Sequence, residues 1–177
     1  MKKLNVGCGS DIRKGWINLD NHNTNGADIV FDLNDIYKGA KLPFKNNTFD
    51  YILANRVLHV FIDPVPILNE LARVCKKRGE IEINTPLSNL NFSIHGKRGY
   101  TQGMLRGYAS RMKDYDPKKH KGIQLKVVYA KYFTNSKRGI PKFITYTLNK
   151  LPYSFVERTF LIYLIFLNVN IRYQKIN

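Results

Sequence analysis

Gly7 and Gly9 flank Cys8 directly after the apolar run Leu4-Asn5-Val6. Glycine tolerates φ > 0 and lets a backbone come close to a ligand, so the pair suits a ligand-cradling loop. A second apolar run, Trp16-Ile17-Asn18-Leu19, ends on Asp20, eleven residues after Gly9. A carboxylate at the tip of the next strand can accept hydrogen bonds from both hydroxyls of a ribose. The run Ala27-Asp28-Ile29-Val30-Phe31 ends on a further acid, Asp32. That residue suits either a ligand contact or the capping of a helical turn over residues 34–37. A fourth run, Phe49 to Ala54, ends on Asn55. These polar and glycine positions fall at four strand ends, where open α/β sheets bind their ligands. A dinucleotide site would need a third glycine and a carboxylate about 20 residues on. Ile12 stands at the third glycine position and Asp20 comes too early.

The elements that must position these residues follow from patterning. The spacing predicts strands over Leu4–Val6, Trp16–Leu19, Ala27–Asp32 and Phe49–Asn55. The link from Cys8 to Gly15 is too short for a crossover helix; one helical turn near Ser10–Lys14 is expected. Asp63 with Pro64 reads as a helix start. The helix is expected to run to Lys77, with Ile67, Leu68, Leu71, Val74 and Cys75 on one apolar face and Gly79 stopping it. Glu80–Pro86 alternates as a fifth strand. Beyond it the pattern predicts a loop over 87–100, a helix over 102–112 and a polar stretch over 113–122. A strand over 124–133, helices over 141–150 and 154–165, and a half-buried strand from Val169 to Gln174 complete the chain. Strands alternating with short crossovers imply a three-layer α/β/α, Rossmann-like fold. Its twisted sheet is mostly parallel, with an antiparallel C-terminal strand.

The chain has 177 residues, enough for a single domain with a substantial core. Its net charge of +16 is unevenly placed. Residues 1–86 hold 12 Lys/Arg against 10 Asp/Glu, and residues 87–177 hold 17 against 3. A basic half attracts nucleic acid, anionic lipid or phosphorylated substrates, or is simply a solvated lysine-rich surface. Cys8 and Cys75 make no disulfide framework, and no secretory signal follows the start, so a cytoplasmic protein is expected. The longest apolar run, Phe160 to Leu167, is far short of a membrane span. The two cysteines and four histidines are scattered, and no metal site is expected.

The ordered motifs L-N-V-G-C-G-S-D-I-R-K-G-W-I-N-L-D, A-D-I-V-F-D-L, L-P-F-K-N-N-T-F-D-Y-I-L-A-N and L-A-R-V-C-K-K-R-G-E-I-E-I-N-T-P resemble the class I S-adenosylmethionine-dependent methyltransferases. The resemblance covers residues 3–86 and is nearest to the small group in which G-C-G-S runs into G-W-x-N-x-D. It implies that the backbone of Gly7, Cys8 and Gly9 lines the methionine part of S-adenosylmethionine. It further implies that Asp20 binds the ribose, that Asp32 and the backbone of Leu33 contact adenine, and that Asn55 sits beside the methionine amino group or the methyl. Three positions depart from the family's pattern: Asn5 for an acid, Ser10 for a glycine, and His59-Val60 for Glu-His.

Methyl transfer needs alignment of donor and acceptor, and an oxygen or nitrogen acceptor also has to lose a proton. His95 and Tyr100, after the fifth strand, and His59, after the fourth, are the candidate bases. His95 reads equally as a solvated loop residue and His59 as a core residue. The Asn/Asp-Pro-Pro-aromatic signature of DNA amino-methyltransferases is absent. The expectation is one domain over 1–177, with a cofactor half (1–86) and a basic acceptor-side half (87–177). A small-molecule or glycan acceptor is favoured, an anionic one such as a sugar phosphate, glycan-lipid intermediate or RNA, which keeps nucleic acid as a partner. The rival is a non-catalytic protein of the same fold whose basic half binds nucleic acid or a protein.

Overall fold

The computed structural model describes residues 1–23, 26–61, 63–86, 125–133, 146–152 and 168–176. Seven strands form one sheet: β1 (Lys3–Val6), β2 (Ile17–Asp20), β3 (Ile29–Val30), β4 (Phe49–Asn55), β5 (Cys75–Pro86), β6 (Leu125–Phe133) and β7 (Asn168–Lys175). Their spatial order is β3-β2-β1-β4-β5-β7-β6. β1 to β5 pair in parallel, and β7 pairs antiparallel with both β5 and β6. This is the expected Rossmann-like sheet with its antiparallel C-terminal strand.

One face of the sheet is apolar. Leu4, Val6, Leu19, Ile52, Ala54, Ile81, Ile83, Ile171 and Tyr173 join a single core with the helix α1 (Val65–Val74). Ile67, Leu68, Leu71 and Val74 are fully or almost fully buried in it, each contributing about 1.5–3 kcal/mol of transfer free energy. Alternate residues carry Lys3, Asn5, Tyr51, Glu80, Glu82, Asn84 and Arg172 to the other face. The described helices pack on the apolar face. The helices expected at 102–112 and 154–165, which would supply another layer, lie outside the described residues, as do the loop over 87–100 and the stretch over 113–122.

Several boundaries differ from expectation, each for a local reason. The β1–β2 link makes turns instead of a helical turn, with Asp11 N donating to Cys8 O and Trp16 N to Arg13 O. The third strand keeps only Ile29–Val30, because Asp32 caps a 3₁₀ helix at Leu33–Lys38. α1 starts one residue later than read, at Val65 with Pro64 as its N-cap, and Asp63 Oδ1 accepts from Val65 N at 3.0 Å. It ends at Val74, three residues early. The backbone N–H groups of Asn47 and Thr48 take the carbonyls of Arg73 and Val74, and Cys75 turns extended. Gly79 therefore stops no helix. It sits in a bulge where the register jumps from Phe49↔Cys75 to Tyr51↔Glu80. A Cβ there would lie 2.8 Å from Cys75 Sγ and 3.0 Å from Asp50 O. Of the helix expected over 141–150, the described part is a single turn at 146–148.

Two side-chain networks fasten the loops that flank the sheet. Buried Asn5 donates to Asp11 O (2.7 Å) and to Asn18 Oδ1 (3.2 Å). Asn18 Oδ1 also accepts from Arg13 N, while Asn18 Nδ2 donates to Arg13 O and Asp28 Oδ2. Asp28 Oδ2 accepts from Asn18 N as well, at 2.7 Å. On the core side, buried Glu70 accepts from Leu42 N (2.7 Å) and from Arg73 (2.6 and 2.8 Å). Arg73 continues to the carbonyls of Leu42 and Phe44 and to Asn46 Oδ1.

Glu70→Ala leaves the Arg73 guanidinium and the Leu42 N–H without their carboxylate. It is expected to cost about 3 kcal/mol, read as a lower urea midpoint at unchanged slope. The hydrogen bonds from Asn18 hold the Asp28 carboxyl below its ordinary value of 3.8. A depressed carboxyl stabilises the fold above the unfolded-state pKa and loses that contribution as pH falls through the folded value. Stability measured by denaturation from pH 6 down to pH 3 is expected to fall less steeply in Asp28→Asn than in the wild type.

Candidate cofactor cleft

A cleft of about 190 Å³ opens at the carboxyl ends of β1 to β4. Gly7 enters it from β1, and Leu19, Asp20 and Asn21 from β2. Phe31, Asp32, Leu33 and Asn34 enter from beyond β3, and Arg56, Val57, Val60 and Phe61 from beyond β4. The four strand ends meet there because β1 lies between β2 and β4, so the chain leaves the sheet in opposite directions on either side.

The floor is set by the first loop. Gly7 has φ +61, and a Cβ there would stand 2.4 Å from Val57 Cγ2. Only glycine fits that backbone and that contact together. Cys8 is buried, its N–H donating to Leu19 O (3.1 Å) and its carbonyl accepting from Asp11 N (2.8 Å). Burial, and then the nearby Asp20 charge, pushes its thiol upward, so it is an inert thiol at neutral pH. Gly9 N donates to Asp20 Oδ2 at 2.7 Å. Asp20 Oδ1 accepts from His22 N at a longer 3.3 Å and is the oxygen with spare accepting capacity.

Asp32 lines the cleft and also caps, with Oδ1 accepting from Asn34 N (2.8 Å) and Asn34 Nδ2 (2.9 Å). The two readings open in the sequence are thus compatible. Leu33, buried, joins Phe31, Val60 and Phe61 to make one wall apolar. Tyr37 stacks on Phe61 at 6.2 Å and donates its hydroxyl to Asp63 O, tying this wall to the start of α1.

Of the residues singled out in the sequence, the cleft brings together Gly7, Asp20, Asp32 and Leu33. Cys8, Gly9 and Asn55 do not line it; Asn55 is half-buried and in register with Asn84. His59 is buried on the 3₁₀ helix Leu58–Val60 without lining the cleft. Its Nδ1 has no partner among the described residues. Burial, and then the Arg56 charge, pushes its pKa down, so the ring is neutral at neutral pH. His95 and Tyr100 lie outside the described residues. No group of metal-ligating side chains occurs among the described residues, and no described helix is long and apolar enough to cross a membrane.

Sequence reasoning missed Phe31, Arg56, Val57, Val60 and Phe61. Phe31 and Arg56 adjoin Asp32 and Asn55, so reading one residue to either side of each strand end would have found them. Val60 and Phe61 carried no such signal, because an apolar loop residue looks like core.

Residues 5–83 match a family model described as a methyltransferase domain. An uncharacterized protein of Methanocaldococcus jannaschii is 34% identical over 82 residues, which are 46% of this chain. The match spans 37% of that relative's length. Solved structures share the fold at low identity. An S-adenosylmethionine-dependent methyltransferase from Archaeoglobus fulgidus has a TM-score of 0.58 at 14% identity, covering 98% of this chain and 86% of its own. One from Thermotoga maritima has a TM-score of 0.58 at 13%, covering 99% and 82%. The [4+2]-cyclase SpnF has a TM-score of 0.60 at 12%, covering 98% and 74%. The segment that builds the cleft, residues 5–83, is thus a match to a methyltransferase-domain model, on a Rossmann-like sheet that the chain shares with these solved structures.

Proposed function

We propose that the chain binds S-adenosylmethionine in this cleft and transfers its methyl group to an oxygen or nitrogen acceptor. One observation carries the reading: Gly7, Asp20 and Asp32 meet an apolar wall of Phe31, Leu33, Val60 and Phe61 in one cleft, within the segment that matches the methyltransferase domain. The donor set fits the cofactor's parts. Asp20 Oδ1 accepts from the ribose, the apolar wall packs the adenine ring, and the backbone at Leu33 with Asp32 reads the ring's edge. The bare backbone of Gly7 lets the methionine end pass.

The cofactor supplies a methyl group already activated on a sulfonium, so the chain's own work is alignment and proton removal. The strand ends give alignment, because the sheet holds them rigidly. The base is one of His95, Tyr100 and His59. In this reading residues 1–177 form one unit, 1–86 holding the cofactor and 87–177 presenting the acceptor. The 17 Lys/Arg of the second half favour an anionic acceptor, such as a sugar phosphate, a glycan-lipid intermediate or RNA. The cytoplasm is the compartment that fits two buried, unpaired cysteines.

Isothermal calorimetry tests the reading. The wild type is expected to bind S-adenosylmethionine and S-adenosylhomocysteine. Asp20→Asn keeps an oxygen for Gly9 N and loses the charge, so it is expected to bind about ten- to a hundredfold more weakly at an unchanged melting temperature. A folded wild type that gives no heat with either compound, yet shifts mixed RNA on a gel in a salt-sensitive way, would establish the non-catalytic reading instead.

A further inference from the structure

Arg56 is a cation that lines the cleft, and no acid among the described residues pairs with it. Its backbone is left-handed, with φ +57, a conformation that glycine or asparagine adopts at lower cost than arginine. It is held there from the sheet. Arg56 N donates to Asn84 O at 2.8 Å, and the Asn84 side chain accepts from Asn170 on β7. Two carboxylates line the same cleft and neither pairs with Arg56. Asp20 Oδ2 is taken by Gly9 N and Asp32 Oδ1 by Asn34. The exposed guanidinium has no hydrogen-bond or ion-pair partner among the described residues.

The sheet order separates the charges. Asp20 ends β2, Asp32 follows β3 and Arg56 follows β4, with β1 and Gly7 between. At about 4.8 Å per strand, the backbone of Arg56 lies about 10 Å from the end of β2 and about 14 Å from that of β3. A ligand that fits carries hydroxyl or amino donors at one end and an anion at the other.

We propose that Arg56 is the anion seat of the cleft, taking a carboxylate or phosphate at the end opposite Asp20 and Asp32. On the reading of the cleft as a cofactor site, the anion comes either from the methionine carboxylate of the cofactor or from an anionic acceptor beside it. A guanidinium is suited to both, since its planar fork grips two oxygens at once. An exposed side chain on a left-handed residue also tolerates replacement, and Arg56→Gly relieves the backbone, so loss of fold does not confound the test.

The experiment is calorimetry on the wild type, Arg56→Gln and Arg56→Gly with three probes. They are S-adenosylhomocysteine, 5′-methylthioadenosine (the same nucleoside thioether without the carboxylate) and inorganic phosphate. Both variants are expected to lose about tenfold or more in affinity for an anionic probe, with 5′-methylthioadenosine binding unchanged. A loss on S-adenosylhomocysteine assigns the seat to the cofactor. A loss on phosphate alone assigns it to the acceptor. Unchanged binding of both anionic probes overturns the proposal, as does an equal loss on 5′-methylthioadenosine. A wild type that binds neither nucleoside refutes the cofactor reading and leaves phosphate to decide the seat; one that binds no probe at all refutes both.

Discussion

Everything at the cleft depends on closing β1 onto β2 with a short link. A parallel pair is ordinarily joined by a crossover of a dozen or more residues, and a helix holds its ends apart. Here ten residues separate Val6 from Ile17, and side chains do what the helix would do. Asn18 is the hub. Its amide bonds both the N–H and the carbonyl of Arg13, and it reaches Asn5 on one side and Asp28 on the other. Asp20 then draws Gly9 N to the tip of β2. The carboxylate proposed for a ribose is thereby also a strut of the loop through Oδ2, and its Oδ1 keeps accepting capacity.

The same economy shapes the sheet's second face. Among the described residues it is crossed by interleaved rings and cations. Lys3 and Arg13 lie over Trp16, Trp16 meets Tyr51 edge-on at 5.6 Å, and Arg172 lies over both Tyr51 and Tyr129, with Lys131 beyond. Arg172 also pairs with Glu80 and Glu82, and Glu82 accepts from the Tyr51 hydroxyl. Burial and that carboxylate push the Tyr51 phenol well up, so it remains a donor across the physiological range. Polar side chains can cover a sheet in this way when their charges are matched and their hydrogen bonds made.

The sheet was legible because period-two alternation survives wherever one face is buried. β4 and β6 match their expected bounds to within a residue, and β7 shows its alternation in burial. What was not legible came from distant partners. The end of α1 is decided by Asn47 and Thr48, nearly thirty residues upstream, and Lys175 Nζ takes the Cys75 carbonyl from a hundred residues downstream. Lys76 and Lys77, expected to end the helix, lie instead in the bulge of β5. At the cleft, Gly7, Asp20 and Asp32 were legible because backbone freedom and charge at a strand end have few other uses. Asn18 and Asp28 were not, because an asparagine in a strand and an acid before one carry no signal until the loop they hold is seen.

Asn5 shows why a departure from a pattern can be a consequence of local chemistry. The methyltransferases whose motifs this chain resembles often carry an acid there, and a carboxylate offers only acceptors. In this chain the side chain at position 5 faces two acceptors, the Asp11 carbonyl and Asn18 Oδ1, and is 1% exposed. A buried carboxylate so placed would make neither bond and would leave its own charge unpaired, which costs more than the hydrogen bonds are worth. An amide donates to both. With the donor supplied at position 5, Asn18 can spend its own Nδ2 on Arg13 O and Asp28, and the loop closes without a helix. Asparagine at position 5 and the short link are therefore one solution, in which a neutral donor replaces an acid because the chain at Asp11 has folded back within its reach.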